Sequence, residues 1–213
     1  MKFDKKNIAI FLILLFHISG FIGICFTPYR NWFLTHTPLN LLVAFIGILV
    51  TISNKNSTFL FISGFIMLFG WSVEWVGVET GFPFGNYNYE KSILGKQLFG
   101  IPIFIGINWW LQVYCYGVLT EKYITKKNKV LKSTAAAFLM VISDFPMELL
   151  ANKIGLWQWH SGVAPWQNYV GWLVYGFILQ YICQYFDILR TNTVAIVYCF
   201  CTFLFFIGLN IFL

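Results

Sequence analysis

Apolar runs long enough to cross a lipid bilayer recur from one end of this chain to the other. A spanning helix needs about 20 consecutive, mostly apolar residues. Only 10% of the residues are charged, against about 25% in soluble domains. The runs lie at 8–26, 38–53, 58–78, 98–120, 131–152, 168–188 and 192–213, and the second is the shortest. We therefore predict an all-α integral membrane protein, a bundle of about seven transmembrane helices in one polytopic domain over residues 1–213.

The basic residues indicate how this bundle is oriented, because Lys and Arg concentrate in cytoplasmic loops. With a cytoplasmic N-terminus, ten of the 14 Lys and Arg residues fall on the inner side and four on the outer side. The net charge of +6 follows from this bias, so it does not indicate nucleic-acid binding. Two long loops, 79–97 and 153–167, then lie outside. Both are rich in Trp, Tyr, Gly and Pro, a composition that favours structured loops over flexible linkers.

The polar residues exclude several chemistries. The five cysteines fall in apolar segments without metal-ligand spacing, so we interpret them as small buried hydrophobic residues and expect no metal site. The chain has no zinc-protease spacing, no phosphate-binding glycine loop and no Asp-rich motif for a magnesium diphosphate. The last span has no lysine that could form a retinal Schiff base. His17, in the first span, is expected to be a packing histidine.

Three carboxylates lie in the outer halves of predicted spans. Asp144 and Glu148 are four residues apart, so on a helix they share one face. Glu74, on the third span, lies at a similar depth and can complete a cluster. Neighbouring ionised carboxylates in a bilayer repel each other and lose hydration, so at least one should be protonated near neutral pH. A protonated carboxyl group is what general-acid catalysis requires.

The alternative interpretation is structural. Asp144 and Glu148 would then be helix-end carboxylates that reach interfacial water and Lys153. Ionisable residues inside membranes are by default functional, which favours catalysis for this pair and leaves the two interpretations of Glu74 in balance. Glu79 is expected to be more exposed, where it either assists the reaction or braces the loop.

Aromatic residues crowd the same predicted outer region. Those expected to line a substrate pocket are Trp71, Trp75, Phe84, Tyr87, Tyr89, Trp109, Trp157 and Trp159. The alternative is the aromatic belt of membrane interfaces, which does not explain Trp109 in the middle of the fourth predicted span. Aromatic faces attract cations. An acid beside an aromatic, lipid-accessible cavity therefore suits protonation of an alkene and capture of the resulting carbocation.

Two signatures in this region carry a family resemblance. The first is ETGFPFGNYNY (79–89), followed by LG (94–95) and IP (101–102). The second contains Asp144, GLWQW (155–159) and NYVGW (168–172). Together they resemble the membrane carotenoid biosynthesis proteins of the carotenoid 1,2-hydratase and bisanhydrobacterioruberin hydratase type. The resemblance covers roughly residues 71–172.

The resemblance implies addition of water across the terminal C1,C2 double bond of an acyclic (ψ) carotenoid end, with no cofactor. Asp144 or Glu148 would protonate C2, and Glu74 or Glu79 would hold the water that adds to C1. Asn168, which begins NYVGW, joins the expected substrate contacts. The implied partners are a lipophilic carotenoid, membrane lipid, and other carotenoid enzymes or a second copy. The implied location is a bacterial or archaeal cytoplasmic membrane.

Other functions stay open at this point. A weaker likeness to small membrane lycopene cyclases implies that an internal alkene, rather than water, captures the cation. A non-catalytic carotenoid- or lipid-binding protein needs the aromatic groove but not the acids. A transporter is disfavoured because the chain shows no internal repeat with broken helices.

Overall fold

The computed structural model describes residues 4–213. Nine helices and four two-residue strands make up this part of the chain. In order they are α1 (Lys5–Phe26), α2 (Arg30–Thr35), α3 (Thr37–Thr51), α4 (Ser57–Thr80), β1 (Tyr87–Asn88), β2 (Gln97–Leu98), β3 (Ile101–Pro102), α5 (Phe104–Tyr123), α6 (Lys129–Glu148), α7 (Ala151–Ile154), β4 (Gln158–Trp159), α8 (Trp166–Tyr185) and α9 (Thr193–Phe212).

Four of these helices, α1, α4, α6 and α9, are long and apolar enough to cross a membrane. The backbone N–H groups of a first helical turn have no partner within the helix, and polar caps supply one at each of the four. The capping side chains belong to Asp4, Asn56, Asn128 and Asn192. The chain therefore forms the helical membrane protein that its apolar runs predict. The number of spans stays a prediction.

The observed helices differ from the predicted spans at two places. The span predicted at 98–120 is wrong over residues 98–103, where β2 and β3 form a hairpin with Leu98 opposite Ile101. Gly100 turns the chain there with a φ of 77°, which glycine adopts without steric cost. Trp109 therefore lies near the start of α5 rather than in the middle of a span. The span predicted at 131–152 is interrupted after Glu148, and α7 continues from Ala151.

Helix α5 lies at the centre of the bundle. It packs against α3, α4, α6, α8 and α9, and its residues from Trp109 to Val118 are all buried. Around it, α6 packs on α8, while α1 packs on both α3 and α9. A helix surrounded in this way can present polar side chains to the interior from several turns.

Two loops meet at one end of the bundle and define the site. The first loop (residues 81–103) follows α4, and the second loop (residues 155–165) follows α7. Strand β1 of the first loop pairs with β4 of the second, so that Tyr87 lies opposite Trp159 and Asn88 opposite Gln158. This antiparallel pair holds the two loops together above the ends of α4 and α6.

Candidate active site

Three carboxylates are buried where the two loops meet the bundle. Their exposed fractions are 5% for Glu74 on α4, 1% for Asp144 on α6 and 5% for Glu148 at the end of α6. Asn168 in the first turn of α8 links two of them. Its Nδ2 lies 2.7 Å from Glu148 Oε1 and 3.4 Å from Asp144 Oδ2.

Both carboxylate oxygens of Glu148 accept hydrogen bonds. The indole N–H groups of Trp157 and Trp159 donate to its Oε2 at 3.0 and 2.7 Å, and Asn168 donates to its Oε1. An indole nitrogen can only donate. Glu148 is therefore set up as an acceptor on both oxygens, the arrangement that suits a carboxylate.

Glu74 has a second set of three donors. The hydroxyl groups of Tyr87 and Tyr89 donate to its Oε2 at 2.6 and 2.9 Å, and the indole of Trp109 donates to its Oε1 at 3.0 Å. Burial, and then the charge of Glu74, raises the pKa of Tyr87 and Tyr89 well above the ordinary value of 10. Both phenols therefore stay protonated, as donors to this carboxylate must.

Asp144 differs from the two glutamates. Its Oδ1 is buried without a hydrogen-bond partner in residues 4–213, and its Oδ2 has only the long contact to Asn168. A carboxyl oxygen that accepts no N–H group leaves room for a proton. Among the three acids, the geometry thus leaves Asp144 best placed to be the protonated one.

Aromatic rings enclose the acids. The rings of Trp109 and Trp172 stack with centroids 4.2 Å apart and planes 4° from parallel, and Phe84 packs against both at 6.3 Å. Between Glu74 and Glu148 lies a small cavity of about 10 Å³, about the space of one water molecule. Besides the two glutamates, its lining residues are Phe84, Tyr87, Tyr89, Ile105, Asn108, Trp157, Trp159, Asn168 and Trp172.

A much larger apolar cavity adjoins the small one. Its volume is about 420 Å³, and its walls come mainly from α1, α2, α3 and α9. Asn108 and Trp157 line both cavities, so the boundary between apolar space and acid cluster lies at these two side chains. Leu15, Trp32 and Leu39 line the large cavity and are also exposed, which marks where it opens on the side of the bundle.

Most of the residues predicted from the sequence come together here. Asp144 and Glu148 are joined through Asn168, and Trp109 reaches Glu74. The others that line the small cavity are Glu74, Phe84, Tyr87, Tyr89, Trp157, Trp159 and Asn168. Their roles in binding or catalysis stay predictions, since proximity alone does not assign them.

Three predicted residues on α4, namely Trp71, Trp75 and Glu79, lie outside the two cavities. Trp71 and Trp75 stack on each other at 6.4 Å and line none of the cavities described above. Trp75 is 42% exposed, and Glu79 is exposed at the end of the helix. Residues 71, 75 and 79 follow one another at intervals of four, whereas Glu74 lies on the buried side of the helix.

Sequence reasoning predicted a lipid-accessible cavity beside the acids, but it missed that α1, α2, α3 and α9 form most of the wall and that two amides, Asn108 and Gln112, line it. The available signal was their spacing, four residues apart in an otherwise apolar segment. Trp172, which an aromatic belt explains equally well from sequence, is buried beside the acids. Residues 4–213 contain no group of three His, Cys, Asp or Glu side chains that could hold a metal ion.

Comparison with known proteins places the chain in a family. A model of the family described as "Carotenoid biosynthesis protein" matches residues 36–213. The chain belongs to this family. It is also 34% identical over 122 residues to the bisanhydrobacterioruberin hydratase of Haloarcula japonica. That match covers 52% of this chain and 40% of the hydratase, so it spans well under two thirds of the relative. The resemblance read from the two signatures is confirmed. No solved structure matches the chain significantly.

Proposed function

We propose that this protein is a carotenoid hydratase that adds water across the terminal C1,C2 double bond of an acyclic carotenoid. One observation carries the proposal. A cluster of three buried acids, two of them saturated with hydrogen-bond donors, directly adjoins an apolar cavity. The name of the Haloarcula relative, a hydratase, supports the same reaction class.

The substrate end enters the large cavity from the membrane. Its volume of about 420 Å³ is within the range of small-molecule sites, about 300–1,000 Å³. The apolar opening at Leu15, Trp32 and Leu39 lets the rest of the polyene remain in lipid. The terminal double bond then lies against Asn108 and Trp157, at the boundary with the acids.

Protonation starts the reaction. In the resting protein the proton is on Asp144, whose Oδ1 accepts no hydrogen bond within residues 4–213. Glu148, one helical turn away on the same face, receives this proton and transfers it to C2, which forms the C2–H bond and leaves a cation at C1. The faces of Trp157 and neighbouring rings, together with the carboxylate of Glu74, stabilise that cation.

Water completes the addition. The small cavity has space for about one water molecule between Glu74 and Glu148. Its oxygen bonds to C1, and the surplus proton passes to Glu74, from which it returns to the Asp144–Glu148 pair. The acid cluster ends with the number of protons it began with, so the reaction needs no cofactor.

The placement in the membrane belongs to the same proposal. Helices α1, α3, α4, α5, α6, α8 and α9 are the seven spans of a single polytopic domain over residues 1–213. The N-terminus is cytoplasmic, and the two loops face outward. The membrane is the cytoplasmic membrane of a bacterium or archaeon. Carotenoid and lipid are the partners, and other carotenoid enzymes or a second copy can associate with the bundle.

The test is to express the chain in a bacterium that accumulates lycopene and to analyse the pigments by chromatography and mass spectrometry. We expect a product heavier than the substrate by one water. Glu148→Gln and Asp144→Asn should lower its amount by at least about 100-fold, since general-acid catalysis contributes about 10²–10⁴. Glu90→Gln, which alters an exposed acid in the first loop, is the matched control and should leave the yield unchanged.

Two outcomes contradict hydration. A product of unchanged mass with ring-type absorption would identify a cyclase. Retention of pigment in the purified protein without any conversion would identify a binding protein.

A further inference from the structure

Helix α5 presents two primary amides to the large cavity. Asn108 and Gln112 are four residues apart, so they lie one above the other on one face of the helix. Both line the large cavity, and Asn108 also lines the small cavity. The amides thus extend from the boundary with the acids into a mainly apolar cavity.

The side chain of Gln112 is buried, but its carbonyl oxygen accepts no hydrogen bond from residues 4–213. Its exposed fraction is 4%, and its Oε1 has no hydrogen-bond partner in residues 4–213. Asn40 of α3 lines the same cavity, and its Oδ1 is also unpartnered. An unsatisfied buried acceptor is unfavourable. Two such oxygens in one cavity wall point to a ligand that donates a hydrogen bond there.

The ligand class follows from the surroundings. A primary amide offers N–H donors and a carbonyl acceptor but no net charge, and the neighbouring lining residues include Phe16, Ile24 and Leu209. Such a site suits a neutral oxygen group. Water and an alcohol satisfy this requirement, whereas a phosphate or an ammonium ion would lack a counter-charge.

We infer that Asn108 and Gln112 form the oxygen site of the reaction: Asn108, which lines both cavities, holds the water of the small cavity as it meets C1, and Gln112 accepts the O–H group that this oxygen keeps, first in the transition state and then in the product. This rests on the proposed function and specifies how the cation is captured. The C1–O bond forms, one O–H bond of the water breaks, and that proton goes to the Glu74 carboxylate. The product is a tertiary alcohol whose O–H donates to Gln112 Oε1.

Without a held water, the same cation has other fates. A methyl group on C1 can lose a proton, which gives an isomeric alkene. Alternatively, the C5,C6 double bond can attack C1, which closes a ring before a proton is lost. Both products keep the mass of the substrate. The ratio of hydrated to unhydrated product therefore reports on the oxygen site separately from protonation.

The experiment replaces the amides with apolar side chains of similar size and measures that product ratio in lycopene-accumulating cells. We expect Gln112→Leu and Asn108→Leu each to shift the ratio towards products of unchanged mass by about two- to tenfold, the effect of one lost hydrogen bond. Total substrate consumed by Gln112→Leu should stay within about threefold of the wild type, because the acids and Asn108, which lies at the double bond, are untouched. Gln112→Asn, which keeps an amide, should recover part of the hydration.

Gln184→Leu is the matched control. Gln184 is also a buried glutamine with an unpartnered side-chain atom, its Nε2, but it lies on α8 and lines none of the cavities described above. Its replacement should leave the product ratio unchanged. Protein yield in the membrane, measured for every variant, shows which variants fold. Should Gln112→Leu not accumulate, Gln112→Met tests the same substitution of apolar for amide.

The inference is overturned if folded Gln112 variants hydrate with the wild-type ratio. It is also overturned if total conversion of the substrate falls while the ratio of hydrated to unhydrated product stays constant, since Gln112 would then have a structural or substrate-binding role. Absence of hydrated product from the wild type is a different failure. It would refute the proposed function itself, and it is read before any variant is made.

Discussion

Removing the carboxylate of Glu148 should destabilise the fold far more than neutralising it. In Glu148→Leu, three buried donors lose their acceptor, namely the indole N–H groups of Trp157 and Trp159 and the amide of Asn168. Each unsatisfied donor costs about 1–3 kcal/mol, so the loss sums to about 3–9 kcal/mol. Proteins are stable by about 5–15 kcal/mol in total. The leucine variant should therefore fold poorly or not at all.

Glu148→Gln keeps most of these contacts. The glutamine oxygen can accept both indole N–H groups, and its NH₂ can face Asn168 once that amide rotates to present its oxygen. The variant loses the extra strength of hydrogen bonds to a charged group, which exceeds that of neutral ones by about 1 kcal/mol. We expect a total loss of about 1–2 kcal/mol, together with the loss of activity described above.

The assay is thermal unfolding of the purified protein in detergent, followed by tryptophan fluorescence and size-exclusion chromatography. In proteins of this size, 1 kcal/mol corresponds to about 2–4 °C in Tm. Glu148→Gln should thus melt about 2–8 °C below the wild type, and Glu148→Leu at least about 6 °C below it. Glu90→Leu removes an exposed carboxylate and should change stability by less than about 0.5 kcal/mol. Equal Tm values for the leucine and glutamine variants would show that the donors do not depend on Glu148.

Two further predictions concern the packing around the site and an ion pair at the other end of the bundle. A Cβ at Gly70 would lie 2.3 Å from Cγ of Trp109, so Gly70→Ala should lower the stability by about 1–3 kcal/mol. At Gly64 a Cβ meets open space, so Gly64→Ala should raise the stability by up to about 1 kcal/mol. Equal Tm values for the two variants would contradict the close packing at Gly70. Lys132 Nζ lies 2.8 Å from both carboxylate oxygens of Glu121, so Lys132→Met should cost about 1 kcal/mol, and a double-mutant cycle with Glu121→Gln should give a coupling energy of about 0.5–1 kcal/mol. A coupling energy near zero would show that this ion pair contributes nothing.

Hydropathy predicted the helices well where apolar runs are bounded by polar caps. The runs at 8–26 and 192–213 correspond closely to α1 and α9, because polar residues at their N-terminal ends, Asp4 and Asn192, also cap the helices. It failed at 98–103, since residues such as Leu98 and Ile101 are as apolar in a hairpin as in a span. Hydropathy registers composition, whereas a hairpin depends on the backbone angles at Gly100.

The acids of the site could be predicted, but not their partners. A carboxylate in an apolar run is visible in the sequence, and a helical spacing of four brings two of them to one face. Two of the donors to Glu148 come from a loop that doubles back nine and eleven residues later, and the third, Asn168, comes from α8, 20 residues away. The donors to Glu74 come from residues 13, 15 and 35 positions away. The large cavity requires several helices to pack around it, which no local pattern encodes.

The acids and the aromatic residues occur together in this chain because the helices and the loops contribute opposite partners of the same hydrogen bonds. The helices supply the acceptors Glu74 and Glu148, and the paired loops supply most of the donors. Tyr87 and Trp159 are cross-strand neighbours, with ring centroids 4.9 Å apart, yet Tyr87 donates to Glu74 and Trp159 to Glu148. One strand pair therefore fixes both carboxylates. If the loops separate, both acids lose donors together, so the ordering of the loops and the assembly of the proposed active site are one event.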